Sequence, residues 1–261
     1  MTGTVIIPEL EMEYFRFGNG ERTLVILPGI SVKSVIGAAQ LVAAAYSAFR
    51  KTHSVIVFDR KKDFGADYSV CDMAEDTARA MEALGIRNAD IFGASQGGMI
   101  ASVLAARYPE LVHKLVIGSS MLYPGENCRE IMTNWSSLAR AGDVASLSRS
   151  FAERVYSDGY VEKYRAAFEM KEGDATRPEL ERFAVLCDAC LGFDLRSEQK
   201  KPQCPTLVIG SDCDAVLSGE ASRELAAYLG CGLFMYPDYS HAVYDEAPDY
   251  IGRLMRFFMD E

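Results

Sequence analysis

Short apolar runs alternate with longer amphipathic stretches through the first half of the chain. Thr4–Ile7 and Met12–Phe17 read as two strands, punctuated by Pro8 and followed by Gly18-Asn19-Gly20, a turn-forming run that gives the sheet an antiparallel start. Thr23–Leu27 is an unbroken apolar run ending in Pro28-Gly29, and Ser54–Phe58 is another ending at Asp59. Such runs suit strands covered on both faces. Alanine-rich Val35–Phe49 has helical spacing, and Asp72–Leu84 reads as a helix with acidic residues in its first turns and Gly85 as its stop. Ala89–Phe92 is the next strand, Met99–Arg107 the helix beyond it, stopped by Tyr108-Pro109, and Leu115–Ile117 the strand after that.

The alternation then breaks. From Pro124 to Lys200 only helical patterns occur, over Arg129–Ala141, Val144–Tyr156, Tyr160–Met170 and Pro178–Leu191. Strand patterns resume at Thr206–Ile209 and Leu233–Tyr236, and Tyr250–Met259 closes the chain as a helix. The pattern predicts an α/β fold: a doubly wound, mainly parallel eight-stranded sheet flanked by helices. Residues 1–123 and 201–261 would form the core, and 124–200 an inserted helical cap. There is no internal repeat and no low-complexity tract.

Composition narrows the partners. The 261 residues carry a formal net charge of -10, which argues against nucleic acid, because a phosphate backbone attracts Lys and Arg. No apolar run approaches the ~20 residues of a membrane span, and Met1–Glu13 lacks the pattern of a signal peptide, so a cytoplasmic location is expected. The seven cysteines have no paired spacing; Cys187 and Cys190 form a lone CxxC in a helical pattern and read as packing rather than as a metal or redox site. No metal ligand set, Gly-Lys-Ser phosphate loop or dinucleotide fingerprint is present, and no cofactor is expected. The expected partner is a small-molecule substrate, with a second copy of the chain in a homodimer as a further candidate.

The strongest chemical signal is Gly93-Ala94-Ser95-Gln96-Gly97-Gly98, set between a buried strand and a helix. A nucleophile that must project into a cleft sits on a sharp, strained turn, and its neighbours two positions away must be small for strand and helix to approach. Gly93 and Gly97 meet that need, and Gly98 adds room. The helix after Ser95 also aims its first N–H groups at the site, where they favour developing negative charge. Of the three histidines, His53 and His113 lie beside strands and read as structural or surface residues. His241 follows the last strand, where a neutral imidazole could take the serine proton. Gly210-Ser211-Asp212-Cys213-Asp214-Ala215-Val216 offers two carboxylates to orient that imidazole.

With these elements in order, nearly the whole chain resembles the α/β-hydrolase family, whose order of nucleophile, acid and histidine it follows. The resemblance implies Ser95 as nucleophile, His241 as general base and Asp214 as acid, since Asp-Ala-Val looks most like the family's acid turn; Asp212 stays open as the alternative, whereas Ser119-Ser120 cannot serve at the other position some members use. It also implies an oxyanion hole from the backbone N–H groups of Ile30 and Gln96. The family's usual His-Gly in that loop is Pro28-Gly29 here. Serine at the elbow disfavours the dehalogenase and epoxide-hydrolase chemistry of members with aspartate there, and points to acyl transfer through an acyl-enzyme. A small carboxylic ester is the leading substrate class. Lactones, thioesters, amides and carbon–carbon bonds are alternatives, as is a ligand-binding member without catalysis. Two further features stay open: Arg60-Lys61-Lys62, which is either a solvated loop or a meeting point for an anionic substrate group, and the aromatics of the helical insert. Trp135, with Met121, is expected to wall the substrate pocket.

Overall fold

A computed structural model describes residues 1–260. Its strands are β1 (Thr2–Ile7), β2 (Leu10–Phe17), β3 (Arg22–Leu27), β4 (His53–Lys61), β5 (Ala89–Ala94), β6 (Val112–Gly118), β7 (Thr206–Ser211) and β8 (Gly232–Tyr236). They form one sheet in the order β1-β2-β4-β3-β5-β6-β7-β8. The β1–β2 and β2–β4 pairs are antiparallel and all others parallel. The burial pattern explains the difference. On β2 the buried positions include Leu10, Met12 and Phe15 among accessible ones, whereas every residue of β5 is buried, as helices on both faces require.

The helices are α1 (Ala39–Ala45), α2 (Val70–Ala83), α3 (Gln96–Arg107), α4 (Glu126–Ala141), α5 (Val144–Val155), α6 (Asp158–Phe168), α7 (Arg177–Leu191), α8 (Gly219–Leu229), α9 (Val243–Glu246) and α10 (Tyr250–Met259). One core lies on the face that receives Met73 and Met81 of α2, Leu104 of α3 and Leu225 of α8. It runs on into Trp135, Leu147 and Phe183 of α4, α5 and α7. The opposite face holds a second core around Phe49, Phe92, Tyr250 and Phe258. Two helix starts are fastened by reciprocal capping boxes, Ser69 with Asp72 on α2 and Thr176 with Glu179 on α7.

Two departures from the sequence pattern have physical causes. Val35–Phe49 is not one helix but a 3-10 turn over Val35–Ala38, the short α1, and a second 3-10 stretch over Ser47–Lys51. No residue of α1 is buried, so tertiary packing gives the alanine-rich segment little reason to stay continuous. The α8 helix escapes the pattern because its buried positions include only Ser222, Leu225 and Ala226, a weak apolar stripe. Between β6 and β7 lie α4 to α7 and a 3-10 turn at Leu195–Ser197, with no strand among them. Among the described residues no helix is long and apolar enough to cross a membrane.

Topology places the site. From β3 the chain passes to β4 on one side, and from β5 it passes to β6 on the other. The connections diverge, and a crevice opens beyond the carboxyl ends of β3 and β5.

Candidate active site

Ser95 follows β5 directly and precedes α3 with φ 53° and ψ -119°, a conformation that side-chain-bearing residues rarely adopt. Its N–H donates to the Gly118 carbonyl at 2.8 Å, and its carbonyl accepts from Ser120 Oγ at 2.9 Å, so β6 and the loop after it hold the turn on both sides. The glycines around it are there for space. A Cβ on Gly93 would stand 2.3 Å from the Gly97 carbonyl oxygen, and one on Gly97 would stand 1.9 Å from that of Leu27.

His241 lies in the loop between β8 and α9. Its Nε2 is 3.0 Å from Ser95 Oγ, and its Nδ1 is 2.8 Å from Asp214 Oδ2. All three residues are buried. The other oxygen of Asp214 accepts the N–H groups of Val216 and Leu217 at 2.9 and 2.8 Å, which locks the carboxylate in one orientation. Asp212 goes elsewhere: it is exposed and ion-paired with Arg223. Thus Ser95, His241 and Asp214 come together in one hydrogen-bonded chain, and Asp212 stands outside it. The loops carrying the acid and the imidazole are also tied to the helical insert. Asn127 of α4 donates to the Ala215 and Val216 carbonyls, each at 3.0 Å. The Ala242 N–H donates to the carbonyl of Val155 on α5 at 2.8 Å.

Ile30 and Gln96 flank the serine, one in the loop after β3 and the other at the first position of α3. Gln96 is in the first helical turn, whose N–H groups have no intrahelical acceptor. Arg60 is what holds these two segments together. Rather than belonging to a solvated loop or a substrate mouth, it lies at the end of β4 and is buried. Its Nη2 donates to the Pro28 carbonyl at 2.6 Å, and its Nε and Nη2 both lie 3.3 Å from Gln96 Oε1. Gln96 Nε2 then donates to the Leu186 carbonyl of α7 at 2.8 Å. Burial pulls the Arg60 guanidinium below its ordinary pKa, partly offset by Asp59. Lys61 is directed to Asp76, 4.0 Å away, and Lys62 to Glu11, 2.8 Å away. All three basic residues are therefore engaged within the fold.

The space directly over Ser95 is about 20 Å³, lined by Ile30, Met132, Trp135, Phe151, Val155 and Tyr244 among others. Trp135 is in this wall. Met121 is not; it is buried in the larger core, and its place as a pocket residue is corrected accordingly. Phe151, one of the insert aromatics from which pocket walls were expected, is in this wall too, whereas sequence reading left Met132, Val155 and Tyr244 unassigned to it. The signal was present in the spacing of Met132 with Trp135 and of Phe151 with Val155, three and four positions apart on amphipathic helices. His53 and His113 sit away from the site; both bind the carboxylate of Asp90, through Nε2 at 3.1 Å and Nδ1 at 2.7 Å. Cys187 and Cys190 are buried in α7, and among the described residues no group of three or more His, Cys, Asp or Glu could hold a metal ion.

Residues 44–158 match the family model described as the alpha/beta hydrolase fold. The chain is 23% identical to the mouse (Mus musculus) protein named serine hydrolase BPHL over 271 residues, covering 98% of this chain and 85% of that one. It is 21% identical to 3-oxoadipate enol-lactonase 2 of Acinetobacter baylyi, covering 87% of this chain and 84% of that one. Among solved structures, an alpha/beta hydrolase enzyme from a Medee basin deep-sea metagenome library superimposes with a TM-score of 0.87 at 21% identity, covering 99% of this chain and 98% of the other. With that fold and a family match over residues 44–158, the chain has the alpha/beta-hydrolase fold, and the relatives it resembles support a hydrolase.

Proposed function

We propose that the protein hydrolyses small carboxylic esters through an acyl-enzyme on Ser95. The observation that carries this reading is the hydrogen-bonded chain from Ser95 Oγ through His241 to Asp214. Nε2 of His241 takes the hydroxyl proton as Oγ attacks the ester carbonyl carbon. The resulting oxyanion accepts hydrogen bonds from the N–H groups of Ile30 and Gln96, held by the Arg60 clamp. When the tetrahedral species collapses, the carbon–oxygen bond to the alcohol breaks, and the imidazolium gives its proton to the departing alkoxide. Water, deprotonated by the same imidazole, then attacks the acyl carbon; the bond to Ser95 Oγ breaks, the acid leaves, and the imidazolium returns its proton to Oγ. Asp214 stabilises the imidazolium without taking its proton.

Among the described residues no Asp, Glu, Lys or Arg lines the space over Ser95, which favours a neutral, apolar group at the carbonyl. About 20 Å³ holds one water at most, so the helices α4 to α7 act in this reading as a cap that shifts to admit substrate. A lactone is the second reading, supported by the enol-lactonase relative; comparing open-chain esters with lactones of the same acid separates the two.

A fluorophosphonate probe tests the nucleophile. The expected result is covalent labelling at Ser95 in folded protein and none after denaturation; a folded protein that hydrolyses no ester and takes no label ends the proposal. The two aspartates make a paired test. Asp214→Asn is expected to lower kcat on an activated ester by about 10⁴-fold, through loss of the correct imidazole tautomer. Asp212→Asn, which only removes a surface ion pair, should stay within about twofold. Steady-state kinetics on both variants reads the difference directly.

A further inference from the structure

The space over Ser95 is walled unequally on its two sides. Met132, Trp135 and Val216, all buried, belong to that space alone and close one side of it. On the other side lies a second chamber of about 360 Å³, within the size range of small-molecule sites. Gly29, Ile30, Phe151, Val155 and Tyr244 wall both spaces, so the two meet along one border. The chamber extends between the strand ends at Ile26, Val57 and Phe92 and the segment that carries Val35, Ala38 and Val42. Its charged members, Lys33 and Asp245, and its serines, Ser31 and Ser34, are exposed and form a solvated rim. Apolar groups make up the interior.

The chamber exists because the segment around α1 underfills it. No residue of α1 is buried, and Ala38 and Val42, four positions apart on the chamber wall, bring only small side chains to it. Packed interiors rarely leave so much room, and apolar room beside a reacting serine suits an alkyl chain. The histidine identifies which half of an ester that chain belongs to. Its imidazolium must reach the departing oxygen, so the alcohol half lies on the imidazole's side. Tyr244 stands three residues beyond His241, and the Val155 carbonyl accepts the N–H of Ala242 at 2.8 Å. Both residues stand on the border with the chamber. The acyl half is left with the closed side.

We propose that this chamber receives the alcohol arm of the ester, and that Ala38 and Val42 set the length of chain it accepts. The substrate class is then an ester of a short acid with an apolar alcohol of medium length. The assignment to the alcohol arm rests on Ser95 as nucleophile and His241 as base; the affinity of the chamber for an alkyl chain does not.

Two ester series on the full-length protein test this. From ethyl through butyl to hexyl acetate, kcat/KM should rise by up to about fourfold per methylene, the gain from burying one such group. From ethyl acetate through ethyl butanoate to ethyl hexanoate it should not rise. In Val42→Phe the ratio of hexyl to ethyl acetate should fall at least about tenfold, because the ring fills the chamber. Ala38→Phe gives the same reading from the neighbouring position if the first variant fails to fold. Leu41→Phe, at an exposed position of the same helix that does not line the chamber, should keep the wild-type ratio. Calorimetry of wild type with 1-butanol and 1-hexanol reads the chamber without turnover: hexanol should bind at least about tenfold tighter, and the difference should vanish in Val42→Phe. A flat acetate series, a rise confined to the acyl series, or a hexyl preference that survives in both folded phenylalanine variants overturns the proposal and leaves the Ser95 reading intact. Chain-dependent binding of the alcohols with no hydrolysis of any ester would refute the Ser95 reading and leave the chamber as an alkyl site.

Discussion

Ser95→Ala is expected to lower kcat on an activated ester by about 10⁴- to 10⁶-fold, the range seen when the nucleophile of an acyl-transfer triad is removed. The size of the loss comes from the route, not from one contact. Without Oγ there is no acyl-enzyme, and His241 can only assist direct attack by water, in a space that holds about one. The fold should be little affected. Alanine lacks only the hydroxyl, and the strained backbone at φ 53° is held by the Gly118 and Ser120 bonds, neither of which uses the side chain. Stability should fall by about 1–3 kcal/mol at most, since the buried His241 Nε2 loses its hydrogen-bond partner. Initial-rate assays beside a thermal melt check both halves; a variant retaining more than about a hundredth of wild-type kcat would show that another group carries the chemistry.

Gly97→Ala should have the largest effect on stability. The added methyl would stand 1.9 Å from the Leu27 carbonyl oxygen and 2.6 Å from that of Pro28, both backbone atoms of a buried strand and the loop that follows it. No rotamer change relieves such an overlap. Either α3 moves off the sheet or the end of β3 bends, and each opens the core between them. A loss of more than about 4 kcal/mol is expected, seen as a fall in Tm of about 10 °C or more. Gly159→Ala is the control. Nothing lies within 4 Å of a Cβ there, so its Tm should stay near that of wild type. A melt in which the two variants behave alike would show that the close approach at Gly97 is not what the glycine is for.

Much of the site was legible because its decisive parts are local. The bend at Ser95 is written in six consecutive residues, since a tight strand-to-helix turn demands small neighbours wherever it occurs. His241 was legible for a different reason: with three histidines and eight strands, only one stands after the last strand. The two aspartates were harder. Asp212 and Asp214 are two positions apart, and only the folded loop turns one toward the imidazole and the other toward Arg223. Arg60 was misread because a basic triplet looks solvated until its partners are known. Those partners, Pro28 and Gln96, are about thirty positions away on either side. The missed helix α8 and the broken segment before β4 mark the limit of periodicity where the apolar stripe is thin.

The fastening of the histidine loop to the insert has one more consequence. Val155 helps close the space above the serine, and its carbonyl anchors the residue next to His241. A displacement of α5 large enough to let a molecule in would tug on the base at the same time. On the proposed reading, the protein would then alternate between a receptive posture with a slack proton relay and a sealed posture with a taut one, and stray water entering with the door ajar would meet a serine that is not yet armed.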